Sequence, residues 1–132
     1  MPALGDLEVQ VMRAIWARDE PVTVRDVLGD LQAERPLAYT TVMTVMGNLH
    51  KKGWLRRHDE GRAYRYEPLV SAEEYSAALM RQALAASTDR PAVLMHFIGE
   101  LSPDEAAALE EAYQRLTRQR TPQATTGRED AR

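Results

Sequence analysis

Between residues 39 and 66 the chain changes its hydrophobic period without a break, and that change limits what it can fold into. In "YTTVMTVMGNLHKK" the apolar residues Val42, Val45, Met46 and Leu49 recur at helical spacing, whereas in "GWLRRHDEGRAYRYEP" Tyr64 and Tyr66 alternate with Ala63 and Arg65 at strand spacing. Gly61 stands where the second segment must reverse, because a tight hairpin turn asks for a residue that accepts positive φ. A helix over roughly 39–52 that runs straight into a two-stranded ribbon is therefore expected, with Pro68 ending the ribbon because it lacks a ladder donor.

Projected at 100° per residue, this helix has two distinct sides. Val42, Val45, Met46 and Leu49 share one, and Thr40, Thr44, Gly47, Asn48 and Lys51 lie opposite, with Thr41, Met43, His50 and Lys52 on the flanks. The solvent side is short, polar and flat. Gly47 costs ~1 kcal/mol relative to Ala in mid-helix; close approach of another backbone is one reason for it, simple tolerance another.

Two helices precede this segment. Leu7, Val11, Ala14 and Ile15 form the stripe of the first, which opens at Gly5 or Asp6. Val22 is a short extended link, and Thr23 with Asp26 makes a capping box for the second, whose inner face is Val24, Val27, Leu28 and Leu31. After the ribbon the composition turns Ala- and Glu-rich. Ser71 with Glu74, Asp89 with Pro91, and Ser102 with Pro103 and Glu105 announce three more helices. From Thr121 onward no apolar period is left, which reads as disorder. The domains expected are 1–69, 70–119 and a disordered tail over 120–132.

Charge is as uneven as hydropathy. Residues 35–66 hold seven Lys and Arg against two acids inside a chain whose formal net charge is −3. Such asymmetry is the footprint of a polyanion partner. The absence of cysteine excludes disulfides, thiolate metal sites and cysteine nucleophiles. The three histidines are dispersed, so no metal site is expected. There is no GxSxG, phosphate-cradling glycine loop or HExxH, so neither catalysis nor a cofactor is expected. No secretory leader and no run approaching ~20 apolar residues appears. A soluble cytoplasmic protein without membrane insertion is the expectation.

Three helices followed by a ribbon is the order of a winged helix-turn-helix, and the fold class expected is mainly α with a small β-wing. In that fold the third helix offers its polar face to the major groove and the wing lies over the adjacent backbone. Thr40, Thr41 and Thr44, with Asn48, are then the candidates for base edges. Lys51, Lys52, Arg57, Arg62 and Arg65 are the candidates for phosphates, whose neutralisation supplies salt-sensitive affinity for double-stranded DNA. The same face could instead serve a protein partner, and a small-molecule pocket between the domain and the C-terminal helices is compatible with the sequence. In the C-terminal half Tyr75, Leu79, Val93, Leu94, Phe97, Ile98, Leu109, Tyr113 and Leu116 carry more apolar surface than three short helices readily hide, so they are the candidate dimerisation residues.

Taken together, "LAYTTVMTVMGNLHKKGWLRRHDEGRAYRYEP" resembles the DNA-binding core of the penicillinase repressor family (BlaI/MecI type). Lys51-Lys52-Gly53, Leu55, Gly61-Arg62, Tyr66 and Pro68 meet its pattern, and the similarity runs from "LGDLEVQVMRAIW" through the last helix. The resemblance implies a homodimeric repressor on an inverted-repeat operator, with a C-terminal three-helix dimerisation domain. It implies control of β-lactamase or related cell-wall stress genes. It also implies a membrane-bound sensor metallopeptidase as partner, whose signal leads to cutting of an Asn-Phe bond in the middle helix of that domain. Here the matching bond is His96–Phe97, and histidine in place of asparagine departs from the pattern. A sister branch senses copper through C-terminal cysteines, which this chain lacks.

Overall fold

The computed structural model describes residues 3–34 and 36–130, without the side chains of Glu60 and of residues 121–130. Arg35, counted in the basic block, lies outside the described residues. The elements run α1 (Asp6–Trp16), α2 (Val24–Gln32), α3 (Tyr39–Lys51), β1 (Leu55–Glu60), β2 (Ala63–Pro68), α4 (Ala72–Ala85), α5 (Arg90–Gly99) and α6 (Pro103–Asp130). They form two compact units that divide between Ala83 and Leu84.

In the first unit, the apolar stripes of α1, α2 and α3 meet. Val11, Met12, Ile15, Val27, Val42, Met46, Leu49 and Leu55 are at most 1% exposed. Each such side chain stabilises the fold by roughly 1.5–3 kcal/mol relative to exposure. Local chemistry fixes where the helices start. Gly5 precedes α1 and its N–H donates to Glu8 Oε1 at 3.0 Å. At α2 the Thr23 hydroxyl accepts from Asp26 N at 3.1 Å while Thr23 N donates to Asp26 Oδ2 at 3.0 Å, the reciprocal box that satisfies two orphan donors.

The passage from α3 to β1 explains the "KKG" of the sequence. Gly53 sits at φ 88, Trp54 N donates to Leu49 O at 2.9 Å, and Gly53 N donates to His50 O at 3.1 Å. This pair of bonds is the Schellman termination, and its left-handed position is where glycine is favoured. Trp54 is thereby turned inward, to 4% exposure. β1 and β2 pair antiparallel with Arg57 opposite Tyr66 and Asp59 opposite Tyr64. Gly61, at φ 71, opens the two-residue connection. The expected link at Val22 does more than connect: Val22 and Tyr66 exchange backbone hydrogen bonds of 2.8 and 2.7 Å, which pins the wing to the α1–α2 junction.

α4 starts just after residue 69, the boundary expected from the sequence. Ser71 and Glu74 cap it as the sequence indicates, but its first turns belong to the first unit. Tyr75 is 8% exposed, 5.4 Å from Trp54 in an edge arrangement and 5.8 Å from Trp16. Its hydroxyl accepts from Leu4 N at 3.2 Å, and Trp16 Nε1 donates to Val70 O at 2.8 Å. Leu79 packs against the same core. Tyr75 and Leu79 share the C-terminal helical composition, and on that ground the sequence places them among the dimerisation residues. Within one chain they pack on the two tryptophans and the core of the first unit.

The second unit holds α5, capped by Asp89 Oδ1 accepting from Ala92 N at 3.1 Å, and α6, capped by Ser102 with Glu105. None of its described side chains is buried. α6 continues as helix to Asp130, past the point where disorder is expected from the sequence. An established helix extends by adding a hydrogen bond for each residue fixed and needs no apolar face to do so. Residues 131–132 of that expected tail lie outside the described residues.

Candidate nucleic-acid interface

The burial of α3 separates its two faces as the projection indicates. Val42, Met46 and Leu49 are fully buried, and Thr40, Thr41, Thr44, Asn48 and Lys51 are exposed. The polar side chains stand at i, i+4 and i+7 along one row (Thr44, Asn48, Lys51) with Thr40 and Thr41 one turn before. Hydroxyls, an amide and an ammonium on one rigid surface can donate to phosphate oxygens and to groove-edge acceptors.

On the wing, Arg57, Arg62 and Arg65 are all exposed. The Arg57 guanidinium lies 4.1 Å from the centroid of the Tyr64 ring, on the sheet face it shares with that residue. Stacking of this kind restricts the arginine fork while leaving its donors free to bind. Arg65 Nη1 donates to Pro21 O at 3.5 Å, a long contact that leans the side chain toward the α1–α2 junction. Arg56 and His58 both turn to Glu67 Oε1, at 3.4 and 3.0 Å. Arg62 follows Gly61 at the tip.

Lys52, expected among the phosphate contacts, makes an ion pair within the chain. Its Nζ lies 2.8 Å from Glu8 Oε2, across to the first turn of α1. The Lys52 ammonium holds the Glu8 carboxyl below its ordinary value of 4.5, and the Gly5 N–H adds to the effect while burial opposes it. A second carboxyl, Asp26, is likewise held below its ordinary value, chiefly by the Thr23 backbone N–H.

Sequence reasoning passes over Arg25. It lies in the first turn of α2, the only cation of that helix, with its guanidinium 5.5 Å from the ring of Tyr39, the residue that opens α3. A lone cation in an acid-rich segment is the signal the sequence offers for it. Among the described residues no group of three or more His, Cys, Asp or Glu is placed to hold a metal, and no helix is long and apolar enough to cross a membrane.

Of the residues expected to pair two copies, Val93, Leu94, Phe97, Ile98, Leu109, Tyr113 and Leu116 all lie in the second unit and are 40–65% exposed. His96 and Phe97 are adjacent within α5, both exposed.

Residues 4–115 match the model of the family described as penicillinase repressor. The chain is 47% identical over 116 residues to "Transcriptional regulator BlaI" of Mycobacterium tuberculosis, covering 86% of this chain and 84% of that protein. It is 31% identical over 75 residues to "Penicillinase repressor" of Bacillus licheniformis, covering 57% of this chain and 58% of that one. Among solved structures, that of the DNA binding domain of the repressor BlaI superposes with a TM-score of 0.50 at 31% identity, covering 56% of this chain and 89% of that one.

Proposed function

The chain belongs to the penicillinase repressor family, and from that premise we propose that it is a dimeric repressor that occupies an inverted-repeat operator of β-lactamase or related cell-wall stress genes. It is a transcriptional regulator and not an enzyme. The observation that carries the proposal is the α3 surface: Thr40, Thr41, Thr44, Asn48 and Lys51 exposed on a helix whose opposite side packs into the core. Such a helix is rigid, flat and polar where the groove floor would be. Thr40, Thr41, Thr44 and Asn48 read base edges; Lys51, Arg57, Arg62 and Arg65 neutralise phosphates on either side. The exposed apolar residues of α5 and α6 pair two copies, so that two α3 helices address two half-sites at once.

Release follows from the same division of labour. The His96–Phe97 bond lies inside α5, and cutting it separates α6 from the rest of the chain. A sensor metallopeptidase acting there would dissolve the pair and leave each half-site held singly. Fragment masses after exposure of the intact protein to such a protease check this: a cut elsewhere, or none, removes the switch.

The DNA-binding assignment is tested on a duplex recovered by in vitro selection with the full chain. Thr44→Ala reduces the preference for the selected duplex over a mutated one by roughly 1–3 kcal/mol, with thermal stability unchanged because the side chain is exposed. Charge reversal at Lys51 and Arg62 weakens both duplexes alike. Equal loss on both duplexes for Thr44→Ala contradicts direct readout at that position.

A further inference from the structure

We infer that the two adjacent lysines at the end of α3 have different tasks: Lys51 meets the duplex, whereas Lys52 is a positioning residue that ties α3 to α1 through Glu8. The inference rests on the DNA-binding reading of this face. One residue step turns the side chain by 100°. Lys51 therefore continues the exposed row of Thr44 and Asn48, while Lys52 falls on the row of half-buried Val45 and buried Leu49, at the edge where α3 approaches α1.

The ion pair is built from both ends. Glu8 uses both carboxylate oxygens: Oε1 accepts from Gly5 N at 3.0 Å, and Oε2 accepts from Lys52 Nζ at 2.8 Å. Glu8 stands in the first turn of α1, where the helix dipole favours an acid, and Lys52 is the C-cap of α3, where it favours a cation. Neither side chain leaves a favourable site to reach the other. Were Lys52 to swing to a phosphate, the carboxylate of Glu8 would be left unpaired beside a polyanion, and that cost offsets the attraction of the phosphate. Lys51 carries no such penalty, since no ion pair engages it among the described residues. Clamping the last turn of α3 to α1 fixes the orientation in which the threonine face meets the groove.

Binding of the full-length variants to a random-sequence duplex and to the selected duplex, measured over a salt series, separates the two roles. Lys51→Gln makes the negative slope of log K against log salt shallower by about 0.9 per subunit. Lys52→Gln leaves that slope as in the wild type but reduces the ratio of selected to random affinity several-fold, and Lys52→Arg restores it. Glu8→Gln reduces the ratio in the same way, even though it removes a negative charge from the vicinity of the duplex. Denaturant unfolding of Glu8→Gln, Lys52→Gln and the double variant gives a coupling of about two- to fivefold in the unfolding constant, the size of a partly exposed pair. A slope loss for Lys52→Gln equal to that of Lys51→Gln, or an improved ratio for Glu8→Gln, overturns the positioning role; additive unfolding effects overturn the ion pair itself. Wild-type protein without salt-sensitive affinity for random duplex overturns the DNA-binding reading and, with it, the task given to Lys51.

Discussion

Among the described residues, the fourteen buried apolar side chains all lie in the first unit, from Val11 to Tyr75, whereas in the second unit eight large apolar side chains from Val93 to Leu116 are at least 40% exposed. The helices of both are capped by the same devices, Thr23 with Asp26 in one and Ser102 with Glu105 in the other. The difference is in what surrounds the apolar stripe. In the first unit each stripe faces two others and the wing closes the remaining side through Leu55 and Tyr66. In α5, Val93, Leu94, Met95, Phe97 and Ile98 occupy more of the helix circumference than one neighbouring helix can cover. Under the dimer proposal, that exposed apolar area is what a second copy covers. The first unit thus carries its own stability, while that of the second, under the dimer proposal, depends on protein concentration.

The largest expected effect comes from removing the second unit. A fragment ending at Ala85 keeps α4 and with it the Tyr75 cluster; it should fold as a monomer and lose selected-duplex affinity by about 10²–10⁴, the effective-concentration advantage of a second linked site. Titration of both proteins on one duplex measures it. Next in size is Tyr75→Ala, which opens a cavity between Trp16 and Trp54 and should cost the first unit about 3 kcal/mol. Phe97→Ala, by contrast, should leave unfolding of the first unit unchanged while raising the concentration at which copies pair; chemical denaturation followed by tryptophan fluorescence, with sedimentation, distinguishes the two. Thr23→Ala removes the cap of α2 at a cost of ~1 kcal/mol in the same denaturation.

The smallest effect is acid sensitivity. Glu8 and Asp26 titrate below their ordinary values of 4.5 and 3.8 in the folded chain. Between each folded and unfolded value the unfolded state binds more protons, so stability rises with pH there. The contribution of both groups is present above about pH 4.5 and is lost as pH falls through the folded values. Melting temperatures from neutral pH down to acid should decline in that window, and Glu8→Gln should remove the upper part of the decline.

Local rules made the first unit legible in the sequence. The period change after Lys51, the capping box at Thr23 and the glycine at position 61 each depend on neighbours a few residues away, and each reappears in the structure. What escaped depends on distant partners. Tyr75 could not be assigned to Trp16 and Trp54 from spacing alone, because an aromatic residue in the first turn of an Ala-rich helix looks the same whichever unit it enters. Lys52 looks equivalent to Lys51 in the sequence because the acid that claims it stands 44 residues earlier. Val22 likewise reads as a link, since its ladder partner Tyr66 is remote in sequence.

Backbone hydrogen exchange on the full chain, followed across a dilution series, tests the contrast between the units most directly. Protection in α1 and α3 should be independent of protein concentration, because their donors are enclosed by a core within one chain, and protection in α5 and α6 should fall together as the protein is diluted. Protection in α5 and α6 that stays constant on dilution, at the level of α3, would contradict the account: the second unit would then be stable without a partner.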